Sequence, residues 1–267
     1  MPETRAVVLA RGLGTRMRQG DAAAVLTDAQ QQAADAGLKP LMPINGHPFL
    51  AYVLDTIANA GMSEVALVVA PDHDPIRAYL NATPPARLDV SCVVQPEARG
   101  TADAMLAVRA WVGDDAFVVM NADNLYPAAT LRDLTALNEP GFPAFDADDL
   151  VASGNIPADR LRAFALVEMD DAGYVRSIVE KPTHAPSASS QKISMNLWRF
   201  DSRIFEACAE VPISPRGEFE LPGAVALAVA RGLRIRAIPA RGPVLDLSRR
   251  ADAADVERRL AGITPCP

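Results

Sequence analysis

VVLARGLGTRMRQ, residues 7–19, decides how this chain is read. An apolar run stops at Ala10 and gives way to Gly12, Gly14, Thr15 and a set of arginines. A buried strand that ends in a cationic glycine turn is built to meet an anion, because bare backbone N–H groups can approach it closely. A dinucleotide fingerprint would need a third glycine where Met17 stands, and a Walker loop would need Gly-Lys-Ser/Thr, which is absent. What remains is a loop whose N–H groups wrap phosphate oxygens, with Thr15 and Arg16 adding side-chain donors.

Strand and helix patterns alternate outward from this turn. RAVVLA, SEVALVVA, LDVSCVV and DAFVVMN read as strands, and PFLAYVLDTIANAG, DPIRAYLNA and TADAMLAVRAWVG as the helices between them. Strand–helix–strand order at this spacing predicts an α/β fold with a parallel, doubly wound sheet, and it places functional residues at the carboxyl ends of the strands. The alanine- and glutamine-rich segment 21–37 reads as a helix that lengthens the glycine loop, either a solvated insertion or a lid. Residues 139–160, rich in Pro, Gly and Asp, read as a loop between two halves of one fold, 1–138 and 161–267. RAFALVEMD, the turn DAG and YVRSIVEK then predict strand–turn–strand, followed by ISMNLWRF, helices near 202–209 and 218–231, the strand LRIRAIPA and a last helix near 251–261.

Composition narrows the function classes. The 267 residues are 49% hydrophobic and 22% charged, as in a soluble globular protein. No apolar stretch reaches the roughly 20 residues of a membrane helix. MPETR runs straight into a strand, so neither a leader nor a membrane partner is expected, and the cytoplasm is the expected compartment. Cys92, Cys208 and Cys266 are far apart and read as reduced thiols, and His47, His73 and His184 are too scattered for a zinc site. A net charge of −7 disfavours a nucleic-acid partner but leaves room for a local cationic pocket. Of 26 basic residues only Lys39, Lys181 and Lys192 are lysines, and the first two precede proline. Lysine gives a compact, mobile point charge where arginine gives a planar fork.

Three further stretches carry chemistry. NADN places Asp123 at the end of a strand, and VLDL places Asp246 after another apolar run; two such carboxylates could share a magnesium ion that also bridges phosphates. Taken singly, each reads more readily as a cap or turn residue than as a metal ligand. In QPEARGTADA, Gln95 ends a strand and Gly100-Thr101 opens a helix. A glutamine amide offers a donor and an acceptor that match the O4/N3–H edge of uracil or thymine.

In this order the pieces resemble the sugar-1-phosphate nucleotidyltransferases, such as glucose-1-phosphate thymidylyl- and uridylyltransferases. The anchors are LARGLGTRM, KPLMPINGHPFLAYVL, QPEARGTADA, NADN, VEMDDAGYVRSIVEKP, RGEFELPGAV and the final LDL. The resemblance implies a single Rossmann-like nucleotidyltransferase domain, with a mixed, mostly parallel central sheet and helices on both faces. It implies an enzyme of nucleotide-sugar biosynthesis that joins a nucleoside triphosphate, UTP or dTTP, to a sugar 1-phosphate with release of pyrophosphate. Carried over to this chain, Leu9, Ala10, Gly12, Gly14, Thr15, Gln95, Gly100 and Thr101 would bind the nucleotide. Arg16, Lys39, Asp123 and Lys181 would be catalytic, with Lys181 binding the sugar phosphate. Ala165, Glu180 and Asn196 would contact the sugar, and Asp123 and Asp246 would hold Mg2+. A homo-oligomer is compatible with the family. This chain departs from it at Arg11, where relatives have a small residue; at Ala122, Ala165 and Asn196, where they often have glycine; and after Asp246, where SRR replaces a nearby Thr-Gly pair. Transfer of CTP to a phosphate such as phosphocholine, and a non-catalytic nucleotide-sugar-binding regulator, are the alternatives.

Overall fold

The computed structural model describes residues 5–21, 24–182 and 191–267, so the expectation for His184 lies outside it. The first half contains β1 (Arg5–Leu9), a hairpin of β2 (Pro43–Ile44) and β3 (His47–Pro48), β4 (Glu64–Val69), β5 (Asp89–Val94), β6 (Phe117–Asn121) and β7 (Asn124–Leu125). The second half adds β8 (Gly141–Phe145), β9 (Ala165–Met169), β10 (Val175–Val179), β11 (Gln191–Ser194), β12 (Trp198–Phe200), β13 (Arg236–Ala240) and β14 (Leu245–Asp246). The helices are α1 (Thr15–Arg18), α2 (Asp28–Ala36), α3 (Phe49–Asn59), α4 (Asp74–Ala82), α5 (Thr101–Val112), α6 (Ala128–Thr135), α7 (Ala147–Ser153), α8 (Ile204–Glu210), α9 (Leu221–Ala230) and α10 (Asp252–Arg259).

Ten strands form one sheet in the order β10-β9-β11-β8-β12-β6-β1-β4-β5, with β13 also pairing with β8. The run β6-β1-β4-β5 is parallel, as the strand–helix alternation predicts. Across β12 the sheet becomes mixed: β12 is antiparallel to β6, β11 and β10 are antiparallel to β9, and β13 is parallel to β8. Along β1 the side chains alternate between two cores. Ala6 and Val8 join α3 on one face, and Val7 joins α5 on the other. The second core holds an aromatic cluster in which Phe117 stacks on Phe205 and Trp198 on Phe200. Truncating Phe117 to alanine there would cost about 3–5 kcal/mol.

One expectation is corrected. Residues 139–160 are not a loop: they hold β8, in the middle of the sheet, and α7. GFPAF hides its strand character because proline has no N–H for a ladder. On its antiparallel side β8 pairs with β12 only at Gly141 and with β11 only at Phe145. Pro143 falls between those two pairs, where no donor is required.

The 21–37 helix begins only at Asp28, where Thr27 and Gln30 form a reciprocal capping box worth about 1 kcal/mol. It is docked beside the glycine loop. Buried Arg250 donates to Met17 O and Gln19 O at 2.9 and 3.0 Å and pairs with Asp35 at 2.6 Å, tying α2 and the loop together.

Candidate active site

β1, β5 and β6 all release their chains at the same edge of the sheet, and a cleft of about 470 Å³ opens there. It is lined by the 9–16 turn, Lys39, Gln95, Gly100, Thr101, Asp123, Glu180, Lys181, Asn196 and Asp246. Of the residues singled out from the sequence, only Ala165 is elsewhere: it is fully buried in the second core, and Phe164 beside it faces the cleft. A separate hollow between α5 and α8, lined by Arg109, Arg203 and Glu206, contains none of them.

The two glycines of the turn are there for different reasons. Gly14 has φ +63°, and a Cβ there would lie 2.5 Å from Gly37 O, so both the backbone conformation and the packing require glycine. Gly12 faces the cleft with no protein atom within 4 Å of where a Cβ would stand, so packing does not require it. Arg16 is exposed and has no ion-pair partner among the described residues, whereas Lys39 Nζ donates to Asp123 Oδ2 at 2.7 Å.

Gln95 is buried and held on every side. Its N–H donates to Val69 O at 3.0 Å, and its carbonyl accepts from Arg11 Nε at 2.7 Å. Its Nε2 donates to Gly100 O at 3.1 Å and to Asp103 Oδ2 at 2.8 Å. Arg11 also donates to Pro96 O at 2.9 Å and so clips the glycine turn to the chain just beyond β5. Gly100 lies against the second half of the chain: with φ +113°, its Cβ would stand 2.4 Å from Phe219 O. Thr101 Oγ1 accepts from Leu221 N at 2.8 Å, which straps the two halves together beside Gln95.

Across the cleft, Lys181 (φ 47°) and Asn196 (φ 57°) both adopt the left-handed conformation. Outside glycine this region costs about 1–2 kcal/mol, less for asparagine. Asn196 breaks ISMNLWRF into β11 and β12, which explains why glycine or asparagine suits that position. Burial pushes the Glu180 carboxyl up to about 7, with neighbouring Lys181 opposing the shift, and its Oε2 is buried without a hydrogen-bond partner among the described residues. Burial lowers Lys181, helped by the nearby Arg216 charge. Arg216 pairs with Glu220, and both face the cleft.

At the cleft floor Asp246 is buried, and burial together with the charge of Asp123 pushes its carboxyl up to about 6, against the pull of Arg160. Asn124 Nδ2 and Ser248 Oγ donate to Oδ1 at 3.0 and 2.8 Å, while Arg160 pairs with Oδ2. Arg160 also donates to Asp252 Oδ1 at 2.5 Å. Sequence reading missed Arg160, Asp252 and Arg250 because their partners lie far along the chain. It also missed Arg216 and Glu220, although RGEFELP had flagged their segment.

Residues 5–242 match the nucleotidyl transferase family. The chain belongs to that family. A glucose-1-phosphate thymidylyltransferase of Streptomyces griseus is 29% identical over 254 residues, covering 95% of this chain and 65% of the relative. The chain thus spans just under two thirds of that relative's length. A UTP–glucose-1-phosphate uridylyltransferase of Haloferax volcanii is 27% identical, with 96% of each chain covered. Among solved structures, a UDP-glucose pyrophosphorylase complexed with UDP-glucose superposes with a TM-score of 0.76 at 19% identity, covering 96% of this chain and 98% of the other. At that identity the likeness speaks for the fold. Among the described residues, no helix of this family member is long and apolar enough to cross a membrane.

Proposed function

We propose that this chain joins a nucleoside triphosphate, UTP or dTTP, to a sugar 1-phosphate, giving a nucleotide-sugar and pyrophosphate. The observation that carries this reading is the single cleft: it sets the glycine turn, Arg16 and Gln95 on one side and Glu180, Lys181 and Asn196 on the other. A phosphate oxygen of the sugar 1-phosphate attacks the α-phosphorus. The new P–O bond forms as the bond to the β-phosphate breaks, and pyrophosphate leaves with the electron pair. Such a transfer needs positioning and cations more than covalent help.

Gly12 and Thr15 would cradle the phosphates, with Gly12 leaving the phosphate oxygens the space that a Cβ would take. Arg16, unpaired among the described residues, and Lys39 would meet the charge that grows on the α-phosphate and the leaving group. Lys181 would hold the sugar phosphate, and Glu180 and Asn196 would bind sugar hydroxyls. Ala165, buried behind Phe164, would act only by shaping that wall.

The cleft floor fits a magnesium ion. Asp123 keeps Oδ1 without a partner among the described residues, and its charge helps to push up the neighbouring Asp246 carboxyl, which a further cation would relieve. Among the described residues no group of three or more His, Cys, Asp or Glu could hold a metal. That suits Mg2+, which takes one or two carboxylates and completes its shell with water and phosphates. Asp123 and Asp246 would hold the ion, which when bound supplies Lewis-acid stabilisation of phosphate charge. Acting through one ion, Asp123→Asn and Asp246→Asn should combine to a loss little worse than either alone; fully multiplicative losses would count against a shared ion.

The deciding experiment is pyrophosphate release from a matrix of nucleotides against sugar phosphates. Release from UTP or dTTP only when a sugar 1-phosphate is added is the expected result. Silence across the matrix with nucleotide-sugar binding intact would favour a regulator, and release from CTP with phosphocholine would favour the other transferase.

A further inference from the structure

The orientation of one side-chain amide points to how the base is chosen. A free glutamine amide can rotate by half a turn and offer either an acceptor or a donor to the same ligand atom. Gln95 cannot. Both neighbours of its Nε2, the Gly100 carbonyl and the Asp103 carboxylate, are acceptors only, at 3.1 and 2.8 Å. Rotation would set Oε1 lone pairs against them. Since its N–H and carbonyl are also engaged, Oε1 is the only polar atom of Gln95 left without a partner among the described residues, on a side chain that lines the cleft.

Resting on the nucleotide reading of this cleft, we propose that Asp103 is a positioning residue that locks the Gln95 amide, so that the pocket presents an acceptor alone and selects a base with an imino N–H. Uracil and thymine carry that hydrogen on N3. Cytosine has a lone pair there and would face Oε1 with like against like. Asp103 does not touch the base. It sits in the first turn of α5, with Arg99 Nη1 at 3.8 Å from its Oδ1, and acts through Gln95.

The test is the ratio of kcat/KM for UTP to that for CTP at fixed sugar 1-phosphate, in the wild type, Asp103→Ala, Asp103→Leu and Asp103→Asn. The wild type should prefer UTP. Asp103→Ala or the near-isosteric Asp103→Leu removes the shorter, charged one of the two contacts and leaves the Gly100 carbonyl alone to hold the amide, and the ratio should fall by about tenfold or more, with KM for the sugar phosphate unchanged. Asp103→Asn keeps an acceptor oxygen and should retain most of the preference. That outcome separates the lock from simple support of the helix N-terminus, which would lower Tm without moving the ratio. A wild-type preference for CTP, or a ratio unchanged in both Asp103→Ala and Asp103→Leu, overturns the proposal alone. A wild type that neither binds nor turns over either nucleotide overturns the proposed function and this inference with it.

Discussion

The two sides of the cleft are built differently. On the side of the glycine turn, parallel strands end in register, and the groups they present are tied mainly to one another: Lys39 to Asp123, Arg11 and Asp103 to Gln95. On the side of Glu180, the sheet is antiparallel, two residues hold left-handed backbone, and a carboxyl sits near the midpoint of its titration. The first side is tied together by its own side chains, which suits the grip on phosphates and base proposed for it. The second stores strain and an adjustable charge. Strain of this kind persists only where the surrounding structure over-determines it.

The largest expected effect tests the rigid side. Asp123→Asn should lower kcat by about 10²–10³-fold while the fold survives, because it would weaken both the proposed grip on a cation and the Lys39 pair. Thermal melting together with steady-state rates checks this; near-normal turnover would make Asp123 a turn residue.

A comparable effect on stability is expected where the two sides meet. Arg160→Ala strands Asp246 and Asp252 in the interior and should cost about 3–5 kcal/mol. Urea unfolding would show it. A loss under about 1 kcal/mol would mean that water reaches the network.

Smaller effects belong to the adjustable side. Because the folded Glu180 value of about 7 lies above the ordinary carboxylate range, its ionisation costs the fold stability as pH rises from about 4.5 to 7. Through the same upper limit the carboxylate would become available to accept the sugar hydroxyls proposed to bind it. KM for the sugar phosphate should therefore fall as pH rises through about 7, and Glu180→Gln should flatten that limb even though the substrate phosphate titrates nearby. A pH profile identical in Glu180→Gln would remove Glu180 from recognition. Smallest of all, Asn196→Gly relieves the left-handed strain and should change stability by no more than about 1 kcal/mol. It should still reorder preference among hexose 1-phosphates, because it removes a polar group from the cleft wall. An unchanged order would confine Asn196 to the strand break.

Much of the rigid side was legible in the sequence. Its strands are valine-rich apolar runs, and its loops carry glycines, as at Gly14, where a turn needs them. The adjustable side was less so. β8 was hidden by Gly141 and Pro143, whose tolerance depends on a gap between β11 and β12 that only the assembled sheet reveals. Nothing local marks Lys181 as left-handed. The partner of Asp246 is Arg160, 86 residues away, so a carboxylate that read as free for a cation is in fact shared with a guanidinium. Ala165, expected beside the sugar, points into the core, and Phe164, the residue before it, faces the cleft.

The division of labour between the two sides is tested most directly by Lys39→Ala and Lys181→Ala, compared by full two-substrate kinetics. Lys39 stands with Asp123 on the rigid side, and Lys181 beside Glu180 on the other. Lys39→Ala should chiefly damage nucleotide turnover. Lys181→Ala should chiefly raise KM for the sugar 1-phosphate, and Lys181→Arg should not fully restore it, because a planar fork does not replace a point charge. Both variants raising KM for the same substrate alone would contradict a cleft divided in this way.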